Sequence, residues 1–212
     1  MLRRAKPSQG ETVFPVMLNV AGRIVVVVGG GAVGTRKAAA AIAAGATVRV
    51  IDPAEQLARQ DITHIREAYH PAHLNGAFLV FACATSSVNA QVVADAQARN
   101  ILVNSATDPA AGDFTLPSVV RCGDLTLAMS TGGAAPALAR RLREKFEAEF
   151  DTAFADWLRV LAEVRSVVLA EVPDEARRRE LLEGFADWPW LLRVRADGAD
   201  AVRAEMLSQI RR

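Results

Sequence analysis

The sequence has 212 residues, of which 51% are hydrophobic and 23% are charged. This composition is typical of a compact globular protein and excludes extended disorder. Lysine and arginine together number 25, and aspartate and glutamate number 24, so the formal net charge of +1 gives no field that would attract a polyanion. We therefore expect no nucleic-acid partner.

The amino terminus is basic, but a polar stretch over residues 7–12 follows where a signal peptide needs an apolar run. The apolar run at residues 24–28 is far shorter than the ~20 residues that span a membrane. We expect a loose tail over residues 1–12, a cytoplasmic protein and no membrane partner.

Cys83 and Cys122 fall in or near predicted strands without metal-ligand spacing, which predicts buried reduced thiols.

The first predicted elements are a strand, a glycine turn and a helix. Residues 24–28 form a β-branched run typical of a central parallel strand. Glycines follow, and the alanine-rich segment after them predicts a helix that ends at Gly45. A second strand over residues 46–51 stops before Pro53, because proline cannot donate a ladder hydrogen bond.

Strands and helices continue to alternate beyond this unit. We predict a third strand over 62–67, a fourth over 77–83, a helix over 86–99 with Ser86 as its N-cap, and a fifth strand over 101–104. Alternation of this kind predicts an α/β fold with a Rossmann-type doubly wound parallel sheet.

The pattern then changes to that of a smaller α+β region. Antiparallel strands over 117–122 and 125–130 flank a tight turn at Gly123-Asp124, and a helix over 137–150 follows. Everything from residue 151 onward indicates further helices.

Three glycines have the spacing of a dinucleotide-binding turn, G-x-G-x-x-G. Gly29 makes the turn, Gly31 lets the backbone approach a pyrophosphate, and Gly34 lets the helix pack closely on the strand. The spacing alone is weak, but here it follows a strand and opens a helix whose N-terminus offers free N–H groups to an anion. The predicted cofactor site of this turn comprises Gly29, Gly30, Gly31, Ala32, Val33 and Gly34.

An acidic residue, Asp52, ends the second strand 18 positions after Gly34. A carboxylate there can hydrogen-bond a ribose 2′-OH and would repel a 2′-phosphate, so we expect NAD rather than NADP, with Asp52 and Pro53 in the site. The alternative is that Asp52 only caps the strand end before Pro53. Arg36 and Lys37 are either solvated cations of the first helical turn or neighbours of an anion.

Four motifs in the same order resemble those of precorrin-2 dehydrogenases and of the dehydrogenase/chelatase module of siroheme synthases. The resemblance covers about residues 13 to 150. The four motifs lie at 14–18 (FPVML), 29–37 (GGGAVGTRK), 108–117 (DPAAGDFTLP) and 130–140 (STGGAAPALAR).

The resemblance implies NAD-dependent oxidation of precorrin-2 to sirohydrochlorin and, in many members, insertion of ferrous iron. It also implies a homodimer that binds the tetrapyrrole between the nucleotide domain and a dimerisation region. The regions expected on this basis are an NAD-binding Rossmann domain over 1–113, a dimerisation and tetrapyrrole-binding region over 114–150 and a C-terminal helical region over 151–212. The alternative is an NAD-sensing regulatory module that signals through the helices after residue 151.

The acid/base position departs from the family pattern. The family carries an aspartate three positions after the asparagine that ends the fifth strand, but here, counting from Asn104, that position is Thr107. A threonine hydroxyl cannot act as a base near neutral pH, whereas a carboxylate can. Asp108 or Asp113 is therefore the expected catalytic residue, unless Asp108 merely starts the turn at Pro109.

A second glycine turn precedes the helix at 137–150. By resemblance, Thr131, Gly132 and Gly133 hold carboxylates of the tetrapyrrole with Arg140 as a partner, unless Arg140 is only an exposed helix cation.

His70 and His73 have a spacing that suggests a metal. The intervening proline and the lack of a third ligand favour a loop surface instead, so we expect no metal site.

Overall fold

The computed structural model of the protein describes residues 13–54 and 61–211. These residues form two compact units that divide between Leu116 and Pro117. The tail predicted over residues 1–12 lies outside the described residues. No helix in the described part of the chain is long and apolar enough to cross a membrane.

The first unit is built on five parallel strands. Their bounds are Ile24–Val28 (β1), Thr47–Ile51 (β2), Thr63–Ile65 (β3), Leu79–Ala82 (β4) and Leu102–Ser105 (β5). They lie in the order β3-β2-β1-β4-β5, so the direction in which the chain adds strands reverses between β1 and β4. The predicted Rossmann-type doubly wound sheet is confirmed.

Two helices cover the two faces of this sheet, namely Ala32–Ala43 (α1) and Ser86–Ala98 (α2). Alternate side chains of β1 point to opposite faces, so Val25 and Val27 join the core under α1, while Val26 and Val28 join the core under α2. This double burial is why β1 has an uninterrupted apolar sequence instead of an alternating one.

The third strand is shorter than the sequence predicts, and the link from it to β4 is irregular. The third strand covers three residues, against the six predicted, and a 3-10 turn spans Pro71–Leu74. His70 Nδ1 accepts the N–H of Ala72 at 3.2 Å, and His73 Nδ1 accepts the N–H of His70 at 3.1 Å. Both imidazoles therefore stabilise the turn by hydrogen bonds to its backbone. No group of three or more potential metal ligands is found in residues 13–54 and 61–211.

The predicted N-cap of α2 is wrong by one residue. Thr85 occupies the N-cap position in an extended conformation, and Ser86 is already helical. Thr85 makes no side-chain cap bond. The nearby N–H of Ala84 is instead bonded by the side chain of Asn89, at 2.8 Å from Oδ1.

The second unit begins with the predicted hairpin. Strands Ser118–Cys122 (β6) and Leu125–Met129 (β7) are antiparallel, and Gly123 between them has a φ of +55°. The helices of this unit are Pro136–Glu149 (α3), Thr152–Glu171 (α4), Glu175–Phe185 (α5), Trp188–Asp197 (α6) and Ala199–Ile210 (α7). Helix α3 starts one residue before the predicted start.

The core of the second unit lies around α4. Its buried residues Trp157, Val160, Val164 and Val168 follow one another at helical spacing and pack with residues of α5, α6 and α7. Helix α3 differs, because none of its residues is buried in the single chain.

Both cysteines are free, as predicted. Cys122 is buried, and its thiol donates to the carbonyl oxygen of Asp151 at 3.0 Å. Cys83 is only partly buried, so the prediction of a fully buried thiol is wrong for that residue.

Candidate functional site at the carboxyl edge of the sheet

Two glycines of the turn after β1 are required by the fold itself. Gly29 has a φ of +103°, and a Cβ there would lie 2.6 Å from the carbonyl carbon of Cys83. At Gly34 a Cβ would lie 1.8 Å from the carbonyl oxygen of Gly29. A side chain at either position would therefore collide with backbone atoms. This agrees with the predicted role of Gly29 in the turn and of Gly34 in the close packing of helix on strand.

Gly31 is different, because nothing in the described part of the chain requires a glycine there. It is the N-cap of α1 with a φ of −65°, and a Cβ would find no heavy atom within 4 Å. The first N–H groups of a helix have no partner inside the helix, so this open space lies beside free donors. A phosphate that approaches the start of α1 would use the space that a side chain would fill.

Asp52 lies beside this turn. Its Oδ2 accepts the N–H of Gly30 at 2.5 Å, and its Oδ1 accepts the N–H of Ala54 at 2.8 Å. The bond to Ala54 closes a local turn at the end of β2, as in the alternative interpretation of Asp52. The bond to Gly30 connects the end of β2 to the glycine turn. A carboxylate has about four acceptor positions, so two remain for a ribose. Pro53, which follows, is exposed.

Thr107 is held by a buried side chain of α2. Asn89 is 1% exposed, and its Nδ2 donates to Thr107 Oγ1 at 3.0 Å and to the carbonyl oxygen of Ala84 at 3.1 Å. The Thr107 hydroxyl thus accepts a hydrogen bond, and its own proton is free to be donated. No local sequence pattern indicates this contact, because the two residues are 18 positions apart.

The two candidate carboxylates have different surroundings. Asp108 is exposed and makes no side-chain cap bond to the 3-10 turn at Pro109–Ala111, while its N–H donates to Ser105 Oγ at 3.2 Å. Asp113 bonds the edge of the sheet: its Oδ2 accepts the N–H of Val103 at 3.0 Å, and its N–H donates to the Val103 carbonyl at 2.7 Å. The structure therefore gives Asp113 a clear structural task.

Lys37 reaches from α1 to the end of β5. Its Nζ donates to Asn104 Oδ1 at 2.5 Å and lies 5.3 Å from the centre of the Phe81 ring. Asn104 is 6% exposed, and its Nδ2 donates to the Phe114 carbonyl at 2.8 Å. Burial raises the pKa of the neighbouring Cys83 thiol, and the Lys37 ammonium opposes that rise.

The interpretation of Lys37 as a solvated cation of the first helical turn is therefore wrong. The sequence motifs did not place this residue at the ends of β4 and β5. A signal was available, since Lys37 lies three positions after buried Gly34 and four before buried Ala41 on α1. That spacing puts it beside the buried face of the helix.

The second predicted glycine turn lies in the other unit. Gly132 and Gly133 have φ values of +60° and +84°, a Cβ at either position would find no heavy atom within 4 Å, and Thr131 Oγ1 accepts the N–H of Ala135 at 3.2 Å. The Gly132 N–H is bonded to Ser130 Oγ at 3.1 Å. Arg140 is exposed and lies 3.8 Å from Glu144.

Comparison with known proteins assigns these features to a family. Residues 16–118 match a family described as NAD(P)-binding, and residues 123–149 match the central region of sirohaem biosynthesis proteins. The siroheme synthase of Gluconacetobacter diazotrophicus is 39% identical over 187 residues, which are 83% of this chain and 40% of that protein. The siroheme synthase of Chromobacterium violaceum is 35% identical over 204 residues, or 93% of this chain and 43% of that protein.

The solved structure of SirC, described as a precorrin-2 dehydrogenase, superposes with a TM-score of 0.76 at 28% identity, and the match covers 94% of this chain and 99% of that one. The chain belongs to the siroheme synthase and precorrin-2 dehydrogenase family. It spans about two fifths of the length of the siroheme synthases that it matches. The resemblance inferred from the four motifs is confirmed.

Proposed function

We propose that this protein is an NAD-dependent dehydrogenase that oxidises precorrin-2 to sirohydrochlorin. The observation that carries the proposal is the open space at Gly31, at the start of α1, in a chain similar along almost its whole length to a precorrin-2 dehydrogenase. The fold needs Gly29 and Gly34, but only a ligand needs Gly31. An NAD-sensing regulatory module would also use that space, so turnover is the deciding measurement.

The described residues fit a dinucleotide in both of its polar parts. The open space at Gly31 and the first N–H groups of α1 suit a pyrophosphate, and the free acceptor positions of Asp52 suit a ribose diol. The fixed negative charge of Asp52 opposes a 2′-phosphate, which favours NAD over NADP. When bound, the nicotinamide supplies the hydride acceptor.

Oxidation of the substrate also releases a proton, which needs an acceptor. We assign this role to Asp108, because its carboxylate is exposed and makes no cap bond, whereas Asp113 is bonded to β5. Thr107 and the buried Asn89 connect the start of the same loop to α2, which holds the loop in place at the end of β5. A positioned acid/base typically contributes about 10²–10⁴-fold to a rate.

The second unit is proposed to bind the carboxylates of the tetrapyrrole at Thr131, Gly132 and Gly133, with Arg140 nearby on α3. Open space at both glycines supports this role, because a Cβ at either position would meet no heavy atom within 4 Å and the N-terminus of α3, three residues later, favours an anion. Ferrous iron would be a second substrate if the protein also inserts metal.

We further propose a homodimer. Helix α3 has no buried residue in the single chain, and it exposes half of Leu138. An amphipathic helix with no buried side chain is typical of a surface that a second copy covers. Light scattering on the eluting peak of a gel filtration column measures the mass directly.

The deciding experiment is an anaerobic assay of the purified protein with precorrin-2. We expect sirohydrochlorin absorbance and NADH to appear together, one for one, with NAD and more slowly with NADP. Adding ferrous iron after oxidation is complete tests metal insertion separately. NAD binding without any NADH formation would favour the sensing module and overturn the proposal.

A further inference from the structure

Lys37 brings a positive charge to the ends of β4 and β5. The groups around its ammonium are the amide oxygen of Asn104, the face of the Phe81 ring and the Cys83 thiol, none of which carries a charge. The ion pairs found within residues 13–54 and 61–211 do not include Lys37.

This arrangement leaves the Lys37 ammonium without a counter-ion among the described residues. A partly buried ammonium gives up hydration, and neutral partners return less than a carboxylate would. The adjacent Arg36 is exposed and shows the ordinary alternative for a cation on this helix. The position of Lys37 therefore indicates a task for its charge in the loaded protein.

The place of the charge is defined by the strand ends. Asn104 pairs in register with Phe81, one residue before the last residues of β5 and β4. In a doubly wound sheet a dinucleotide crosses the carboxyl edge at the point where strand order reverses, here between β1 and β4. With the pyrophosphate at α1 and one ribose at Asp52, directly after β2, the nicotinamide half extends toward β4 and β5, the side on which Lys37 lies.

We infer that Lys37 biases the bound cofactor toward its reduced form. The nicotinamide ring carries one positive charge in NAD⁺ and none in NADH, so a fixed cation repels the oxidised ring and leaves the reduced ring unaffected. Lys37 thereby weakens NAD⁺ relative to NADH, which makes bound NAD⁺ a stronger hydride acceptor. This inference rests on the proposed NAD binding, and it concerns the balance between the two forms.

The test compares the Kd of NAD⁺ with that of NADH in the wild type and in Lys37→Met, by calorimetry at one ionic strength. Methionine keeps an unbranched side chain of similar length and removes the charge. We expect the ratio Kd(NAD⁺)/Kd(NADH) to fall about fivefold, mainly because NAD⁺ binds more tightly. Arg36→Met removes the same charge from the exposed neighbour, and there the ratio should stay within about twofold of the wild type.

Two further variants keep the test decisive if Lys37→Met folds poorly. Lys37→Arg retains the charge and should keep the wild-type ratio. Asn104→Asp puts a carboxylate against the ammonium and should lower the ratio while Lys37 is still present. An unchanged ratio in folded Lys37→Met or in folded Asn104→Asp would overturn the inference, with NAD binding itself intact. If the wild type binds neither nucleotide, the proposed function fails instead and the inference fails with it.

Discussion

Substitution of Gly31 by valine should separate cofactor binding from folding. The φ of Gly31 is −65° and its ψ is −178°, an extended conformation that valine adopts readily. A Cβ there meets no heavy atom within 4 Å. Because valine is a poorer helix N-cap than glycine, we expect the free energy of unfolding to fall by about 1 kcal/mol, which leaves the protein folded.

The effect on NAD follows from what the new side chain displaces. A pyrophosphate seated at the start of α1 takes charge-assisted bonds from backbone N–H groups, each contributing about 1.5–3 kcal/mol. If the valine methyl groups prevent two such bonds, the loss is about 3–6 kcal/mol, which corresponds to a Kd raised by about 10²–10⁴-fold. Calorimetric titration with NAD⁺ and thermal unfolding of the same preparation measure the two quantities.

Gly34→Ala is the matched control within the same turn. Its Cβ would lie 1.8 Å from the Gly29 carbonyl oxygen, so α1 must move away from β1, and the melting temperature should fall sharply. Gly31→Val should thus weaken NAD⁺ binding and leave the fold intact, while Gly34→Ala should destabilise the fold itself. A folded Gly31→Val protein that binds NAD⁺ within about threefold of the wild type would refute the assignment of Gly31 to the pyrophosphate.

Three other predictions concern the same edge of the sheet. Asp52→Ala should narrow the preference for NAD over NADP, measured as the ratio of kcat/KM values; a wild type that is faster with NADP would remove Asp52 as the ribose partner. Asp108→Asn should lower kcat about 10²–10⁴-fold with near-normal melting, whereas Asp113→Asn should mainly lower the melting temperature, and the reverse pattern would move the base to Asp113. Asn89→Ala leaves the Ala84 N–H and carbonyl without their partner and should cost about 2–4 kcal/mol in urea unfolding; a loss below about 0.5 kcal/mol would contradict its structural role.

The sequence was most informative where one local pattern has one physical solution. The β-branched run at β1 is typical of a strand buried on both faces. The predicted structural roles of Gly29 in the turn and of Gly34 in helix packing are confirmed, because both depend on neighbouring backbone. The doubly wound parallel sheet and the family followed from these patterns. Element ends were less certain, as at Thr85, because an N-cap depends on which nearby side chain takes the free N–H groups.

What the sequence could not predict depends on residues that are distant along the chain. Lys37 and Asn104 are 67 positions apart, and Asn89 and Thr107 are 18 apart. No periodicity links such pairs, since they meet only when α1, α2 and β5 have packed on the sheet. The short β3 was over-predicted for a similar reason: its length depends on its pairing with β2, which the structure limits to three residues.

The segment that follows β5 also affects how the protein behaves in a crowded solution. A parallel sheet ends in an outer strand whose unpaired N–H and C=O groups can recruit a strand from another molecule. Asp113 occupies both outward groups of Val103, and Gly112 lets the chain approach so closely that a Cβ there would lie 3.0 Å from the Val103 carbonyl oxygen. The loop that carries the proposed base therefore also covers part of the outer edge of β5. A partly unfolded form that releases this loop would expose β5 to pairing with strands of other molecules, which favours aggregation.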